Sequence, residues 1–170
     1  MGWSEDVLKV LNLHQVGTVA TVPDAGLTGV LNLCDAAPDK EVVTLSTEEE
    51  GVGLLLGLHL GGERGALFIQ SSGVGNCINA FSMLATCRFP FLTIVTQRGE
   101  WGEFNQWQVP MGATTAAHFE LMGFLVYRVE HPQEVAPTLE AAARMAFDGD
   151  QRIAVLLAQK LIGKKNWGAK

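Results

Sequence analysis

Six short apolar runs, separated by stretches with helical spacing, limit what this chain can fold into more than any other feature. They are Thr18–Val22, Val42–Leu45, Gly65–Ile69, Phe91–Thr96, Phe124–Val129 and Ile153–Leu157. None follows the period of two that marks a strand with one wet face. Strands apolar throughout are buried on both sides, and alternation with helices joins them in parallel. The expected fold is α/β, a three-layer, doubly wound, six-stranded parallel sheet.

The punctuation between runs supports that reading. Ser4 reads as an N-cap, with Glu5 and Asp6 in the first turn of a helix ending near Leu13. Pro23-Asp24-Ala25-Gly26 is a turn, and a second helix follows from Leu27. Thr47 and Glu50 are spaced as a capping box for a helix reaching Leu60. Residues 70–76 read as a glycine loop before a helix through Leu84. Residues 97–111 read as a long loop before a short helix near 115–122. Pro132 suits the first position of a helix ending near Phe147, and 160–170 read as a surface tail. In such folds ligands sit outside the carboxyl ends of the strands. The informative segments are therefore 22–26, 46–50, 70–76, 97–112 and 130–132.

The length of 170 residues suits one domain, residues 1–170. Charged residues make up only 18% of it. So little charge fits a surface lying against other subunits, and equally a well-packed α/β domain. A net charge of −6 without clustered Lys and Arg argues against nucleic acid as a partner. Cys34, Cys77 and Cys87 are odd in number and far apart, which fits a reducing cytoplasm and neither a disulfide framework nor zinc. The four histidines lack metal spacing, so no metal site is expected in this chain. No apolar run approaches the ~20 residues of a membrane helix, and Glu5 and Asp6 argue against a signal peptide.

Three segments carry residue types suited to chemistry. Thr47-Glu48-Glu49-Glu50 puts three acids at a helix start, where acids ordinarily complement the helix dipole. The helix behind them is unusual. Gly51, Gly53 and Gly57 each cost about 1 kcal/mol relative to Ala, while Leu54, Leu55, Leu56 and Leu58 make it apolar nearly all round. Such a helix is expected to let another backbone or a ligand approach, which makes a carboxylate at its start an acid–base candidate. The second segment, Gln70 to Asn76, offers amides that suit an anion. The dinucleotide fingerprint fails at Ile78 and no Walker lysine follows. The third, Arg98 to Gly112, is long for an α/β connection. Its Trp101, Phe104 and Trp107 are suited to cover a pocket or dock on another chain.

Taken in order, Thr47 to Gly53 with Gly57, then Gln70 to Ala80, resemble the pyrimidine-binding domain of thiamine diphosphate (ThDP)-dependent decarboxylases. Within that family the likeness is greatest to sulfopyruvate decarboxylase alpha subunits, and next to the matching domain of phosphonopyruvate decarboxylases. Arg98-Gly99-Glu100, Val109 to Gly112 and the closing Ile153 to Lys160 fit the same subgroup, so the resemblance spans essentially the whole chain. It implies the ThDP-binding fold, ThDP as cofactor, and nonoxidative decarboxylation of a small 2-oxo acid to an aldehyde. In the family one glutamate hydrogen-bonds a ring nitrogen of the aminopyrimidine and so activates the cofactor. The family spacing, counted back from Gly57, selects Glu48 before Glu49 or Glu50. A carboxyl in an apolar interface can share a proton with a ring nitrogen. The resemblance also implies that Glu48, Ser72, Gly73, Val74, Asn76 and Asn79 approach the cofactor. By the same token Pro23, Asp24, Ser71, Asn76 and Arg98 approach the substrate.

One half of the family's machinery has no counterpart here. The family binds the diphosphate through Mg²⁺ on a second domain marked by Gly-Asp-Gly. This chain has Asp148-Gly149-Asp150 instead, with 20 residues after it. The resemblance then implies a separate diphosphate-binding beta subunit holding the Mg²⁺, and self-association into dimers or larger heteromers. An anionic substrate tail needs cations, for which Arg98 and Arg88 are candidates. Two other readings stand beside this one: a catalytically silent interaction subunit of the same fold, and a stand-alone nucleotide-binding domain.

Overall fold

A computed structural model describes residues 2–163. The apolar runs become strands β1 (Val16–Thr21), β2 (Glu41–Thr44), β3 (Arg64–Gln70), β4 (Phe91–Thr96), β5 (Leu125–Val129) and β6 (Arg152–Leu157). They form one sheet in the order β2-β1-β3-β4-β6-β5, and every pairing is parallel. The doubly wound, three-layer fold expected from the sequence is what the chain adopts. Burial follows position in the sheet. β4 is buried at every residue, whereas the edge strands β2 and β5 each expose part of their length.

Right-handed crossovers place each helix by the direction its connection runs across the sheet. Helices α1 (Trp3–Leu13), α2 (Thr28–Asp35) and α6 (Pro132–Phe147) pack together on one face. Helices α3 (Glu48–Leu60), α4 (Ser71–Cys87) and α5 (Val109–Leu121) line up on the other. A short α7 (Gln159–Ile162) follows β6. The second face is filled by Phe81, Phe91, Phe119 and Phe124, whose ring centroids lie 4.9 to 6.1 Å apart. Such aromatic contacts add to the burial that fixes α4 and α5 on the sheet.

Helix starts differ from expectation. Ser4 is not the cap of α1. Gly2 is, because the Glu5 side chain folds back to accept from the Gly2 amide. Thr47 does precede α3, but its side chain makes no capping bond, and Glu50 accepts from the amide of Ser46 instead, at 2.8 Å. The glycine loop at 70–76 does not exist: β3 ends at Gln70 and α4 begins at Ser71. Helix–helix packing overrides the weak propensity of Ser71-Ser72-Gly73. The long loop is shorter than expected. After a 3₁₀ turn at Gln106–Gln108, α5 starts at Val109, with Pro110 in its first turn, where its missing N–H costs nothing. Pro132 opens α6 as expected. Of the tail at 160–170, residues 164–170 lie outside the described residues.

Candidate active site

In a parallel sheet every post-strand segment emerges at the same edge. Asp24 arrives there after β1, Glu48 after β2, Ser71 after β3 and Arg98 after β4. Arg88 follows α4 and precedes β4, so it lies at the opposite end of the sheet and cannot serve this edge.

Glu48 is the first residue of α3 and is 9% exposed. Helix α4 packs beside α3 and gives its carboxylate a seat. Asn76 Nδ2 donates to Glu48 Oε2 at 2.7 Å. A Cβ at position 73 would collide with the same carboxylate, so Gly73 is what lets it lie flat on α4. The chain's own carboxylate therefore lies against the start of α4, in the segment whose composition had suggested a glycine loop for an anion. Glu49 and Glu50 are exposed, so of the three acids Glu48 alone is both buried and oriented. Cys77 is buried on α4 nearby. Burial first, then the charges of Glu48 and Glu49, push its thiol up to about 12.

Asp24 and Arg98 form a second cluster. The Arg98 guanidinium is 2% exposed and its Nη2 reaches both Asp24 oxygens, at 3.1 and 2.8 Å. Asp24 also accepts from the Gly26 amide at 2.9 Å and from Thr96 Oγ1 at 3.0 Å. The Arg98 amide donates to Ser71 Oγ at 3.0 Å. The Arg98 carbonyl lies so close to α5 that only glycine fits at position 112. This cluster ties the ends of β1, β3 and β4 and the start of α5 together. The charge of Arg98 is matched by Asp24 instead of facing outward.

The remaining expected site residues divide. Ser72 is half-buried next to Ser71, Pro23 is exposed on the turn before Asp24, and Asn79 is exposed one turn beyond Asn76 on α4. Val74 is fully buried in the aromatic core of the second face. Gly53 and Gly57 face open space, with nothing in this chain near where a Cβ would be.

Sequence reasoning missed a clamp that organises the aromatic segment. Buried Gln159 accepts from the Glu100 amide at 2.9 Å and donates from Nε2 to Glu103 at 2.9 Å. Burial acts to raise the Glu103 carboxyl. Hydrogen bonds from the Asn105 amide, Gln159 and the Gly99 amide outweigh it and hold the group below the usual carboxylate range. Trp101, Phe104 and Trp107 ride on this segment and are 48%, 52% and 67% exposed. The one signal for the clamp was a glutamine two residues past the last apolar strand. Among the described residues no group of three or more His, Cys, Asp or Glu is placed to hold a metal, and no helix is long and apolar enough to cross a membrane.

No family model matches the chain. Over 158 residues it is 34% identical to sulfopyruvate decarboxylase subunit alpha of Methanococcus maripaludis, covering 92% of this chain and 95% of that protein. The chain belongs to the sulfopyruvate decarboxylase alpha-subunit family. It is also 33% identical over 155 residues to the corresponding subunit of Methanothermobacter thermautotrophicus, covering 91% of this chain and 94% of that one. A longer sulfopyruvate decarboxylase of Methanosarcina acetivorans matches at 31% identity over 92% of this chain but only 40% of its own length. This family thus makes the chain a subunit of a ThDP-type 2-oxo acid decarboxylase, a carboxy-lyase, and the designation alpha implies a partner subunit. Among solved structures, a 2-oxoglutarate:ferredoxin oxidoreductase from Magnetococcus marinus superposes with a TM-score of 0.74 at 15% identity. The match covers 95% of this chain and 29% of that one, a likeness of fold.

Proposed function

We propose that this chain is the pyrimidine-activating subunit of a two-chain ThDP-dependent sulfopyruvate decarboxylase, working with a diphosphate-binding beta subunit that holds the Mg²⁺. The observation that carries the proposal is the seat of Glu48. One carboxylate oxygen is tied to Asn76, and the helix beside it is stripped of side chain at Gly73. The Glu48 carboxylate itself fills the space at Gly73, and its Oε1 carries no hydrogen bond among the described residues, which leaves it for a ring nitrogen. The metal-bound diphosphate is assigned to the partner, because this chain has Asp148-Gly149-Asp150 where the family has Gly-Asp-Gly, and the active site then lies between the two chains.

When bound, ThDP supplies a carbon nucleophile and an electron sink for the bond that releases CO₂. This chain's residues handle the proton. Glu48 would share one with a ring nitrogen of the bound cofactor through Oε1, while the bond from Asn76 holds Oε2. Preorganised groups in a dry setting act strongly because no reorganisation is needed during the reaction. The Asp24–Arg98 cluster forms the wall beside this seat, with Ser71 in it and Pro23 on its outer turn. Ser72 and Asn79 would lie to either side of a cofactor held at Glu48. Because Arg98 is paired within the chain, the cation for an anionic tail comes from the beta subunit. The bare side of α3 at Gly53 and Gly57 is where a second backbone approaches. Three unpaired cysteines suit the cytoplasm, and residues 1–170 act as one domain that assembles into a heteromer.

Co-purification of this chain with a diphosphate-binding subunit tests the reading. The pair is then assayed for CO₂ release from sulfopyruvate, phosphonopyruvate and pyruvate. The expected result is ThDP-dependent turnover by the pair and none by either chain alone, with sulfopyruvate preferred. Preference for phosphonopyruvate would move the substrate assignment. A stable pair without activity on any 2-oxo acid would favour a silent interaction subunit.

A further inference from the structure

The segment between β4 and α5, residues 99–108, is pinned on its inner side and apolar on its outer side. The Glu100 amide donates to Gln159 Oε1 at 2.9 Å, and the Gln159 amide donates back to Glu100 Oε2 at 3.2 Å. Glu103 accepts from Gln159 Nε2 and from the amides of Gly99 and Asn105, at 2.9, 3.4 and 2.9 Å. Arg128 donates to both oxygens of Glu100 at 2.6 and 3.0 Å. Glu100 and Glu103 are the only charged residues between 99 and 108, and both are engaged in holding the segment down. Trp101 and Trp107 are left exposed on it. Large apolar side chains presented to water from a fixed backbone mark an interaction surface. A segment already ordered in the free chain also docks without the cost of ordering it.

The surroundings of the segment indicate what covers it. Gln108 donates to Gln70, the residue before α4, at 2.7 Å. Met111 Cε lies 3.5 Å from where a Cβ on Gly75 would be, and Gly75 is the neighbour of Asn76. The tryptophans therefore stand at the rim of the Glu48 seat. Beyond that rim the helical layer carries almost no charge. No Lys, Arg, Asp or Glu occurs at 51–60, 71–87 or 109–119, in α3, α4 and α5, whereas α1 and α6 on the opposite face carry Glu5, Asp6, Lys9, Glu134, Glu140 and Arg144. Loss of charge together with exposed aromatics is the composition of an interface core. A second copy of this chain is a poor occupant, because each copy brings a net charge of −6 and like charge opposes association. We propose that Trp101 and Trp107 are the anchors on which the diphosphate-binding beta subunit docks, through an uncharged, apolar face of its own, at the rim of the Glu48 seat. This rests on the two-chain reading above and names the surface that holds the partner.

Trp3→Phe with Trp167→Phe leaves Trp101 and Trp107 as the only indoles in the chain. Titration of that variant with the beta subunit should move the indole emission to shorter wavelength and protect it from acrylamide quenching. Trp101→Ala and Trp107→Ala should each weaken association by about tenfold or more, with the melting temperature of the chain unchanged. Leu13→Ala, at an exposed apolar residue ending α1 on the other face, should keep the affinity within about twofold of wild type. Turnover of the Trp107→Ala pair should recover in excess beta subunit, since docking alone is impaired. A tight, active pair whose indole emission does not move, or alanine variants that bind like wild type, would overturn this proposal and leave the two-chain reading standing. A loss of turnover that excess partner does not restore would place the tryptophans in the reaction and overturn it as well. Failure of the wild-type chains to associate would overturn both. Indoles already protected in the free chain, and uncovered by dilution or by removal of residues 164–170, would give the surface to a second copy or to the chain's own end instead.

Discussion

Asp24 and Glu48 are both buried carboxylates at the carboxyl edge of one sheet, and the chain treats them in opposite ways. Asp24 is bonded by Arg98, Thr96 and the Gly26 amide, with both oxygens engaged. Glu48 receives one bond, from Asn76 to Oε2, beside a helix from which the side chain has been removed. A buried acid with all its acceptors filled is structural, because its removal leaves partners stranded. A buried acid with an oxygen in reserve is available for chemistry. The local sequence does not announce the difference. Both acids sit just past a strand, and only their partners from distant segments separate them.

The largest stability effect should come from the filled acid's partner. Arg98→Leu leaves Asp24 buried and uncompensated and should lower unfolding free energy by about 3–5 kcal/mol, measured by urea denaturation. Glu48→Gln should change it by less than about 1 kcal/mol, since only the Asn76 bond is altered. Equal losses would erase the distinction. Gly73→Ala comes next. Its Cβ collides with the Glu48 carboxylate, and overpacking of that kind costs about 1–3 kcal/mol. Gly53→Ala is the contrast, because nothing lies near its Cβ, and it should stabilise the isolated chain by up to about 1 kcal/mol. Asn76→Ala should leave the melting temperature nearly unchanged but lower turnover of the assembled enzyme about tenfold, with KM for the 2-oxo acid little altered. The smallest effect concerns Cys77, whose thiol is raised to about 12 by burial and then by Glu48. Removing that charge favours the thiolate, so Glu48→Gln should shift the Cys77 titration downward, as read from thiolate absorbance. No shift would mean that Glu48 carries no charge in the folded chain.

The fold was legible because the apolar runs at 91–96 and 153–157 are buried on both sides and say so in their composition. The edge strands were also found, although Leu125–Val129 is partly wet, because flanking helices fixed their number and order. Helix starts were less legible. Ser71-Ser72-Gly73-Val74-Gly75 has the composition of a loop, in part because Glu48, 25 residues earlier in the chain, requires a glycine at its seat, and becomes a helix because it packs between α3 and α5. The site was half legible. The resemblance singled out Glu48, and the glycines of its helix hinted at close approach. What could not be read was that Arg98 would meet Asp24, since an arginine after a strand looks the same whether it faces a substrate or a carboxylate 74 residues away. Val74 was an expected cofactor contact that packs into the phenylalanine core, where period and burial decide against exposure.

The central claim is that Glu48 is the carboxylate that engages the cofactor's pyrimidine. The most direct test is the turnover number of Glu48→Gln, assembled with the diphosphate-binding subunit and compared with wild type at saturating ThDP. The pair should form normally, and turnover should fall by about 10²- to 10⁴-fold, the contribution typical of a positioned acid–base group, while Glu49→Gln and Glu50→Gln stay near wild type. Turnover of Glu48→Gln within a few-fold of wild type in an intact complex would contradict the account.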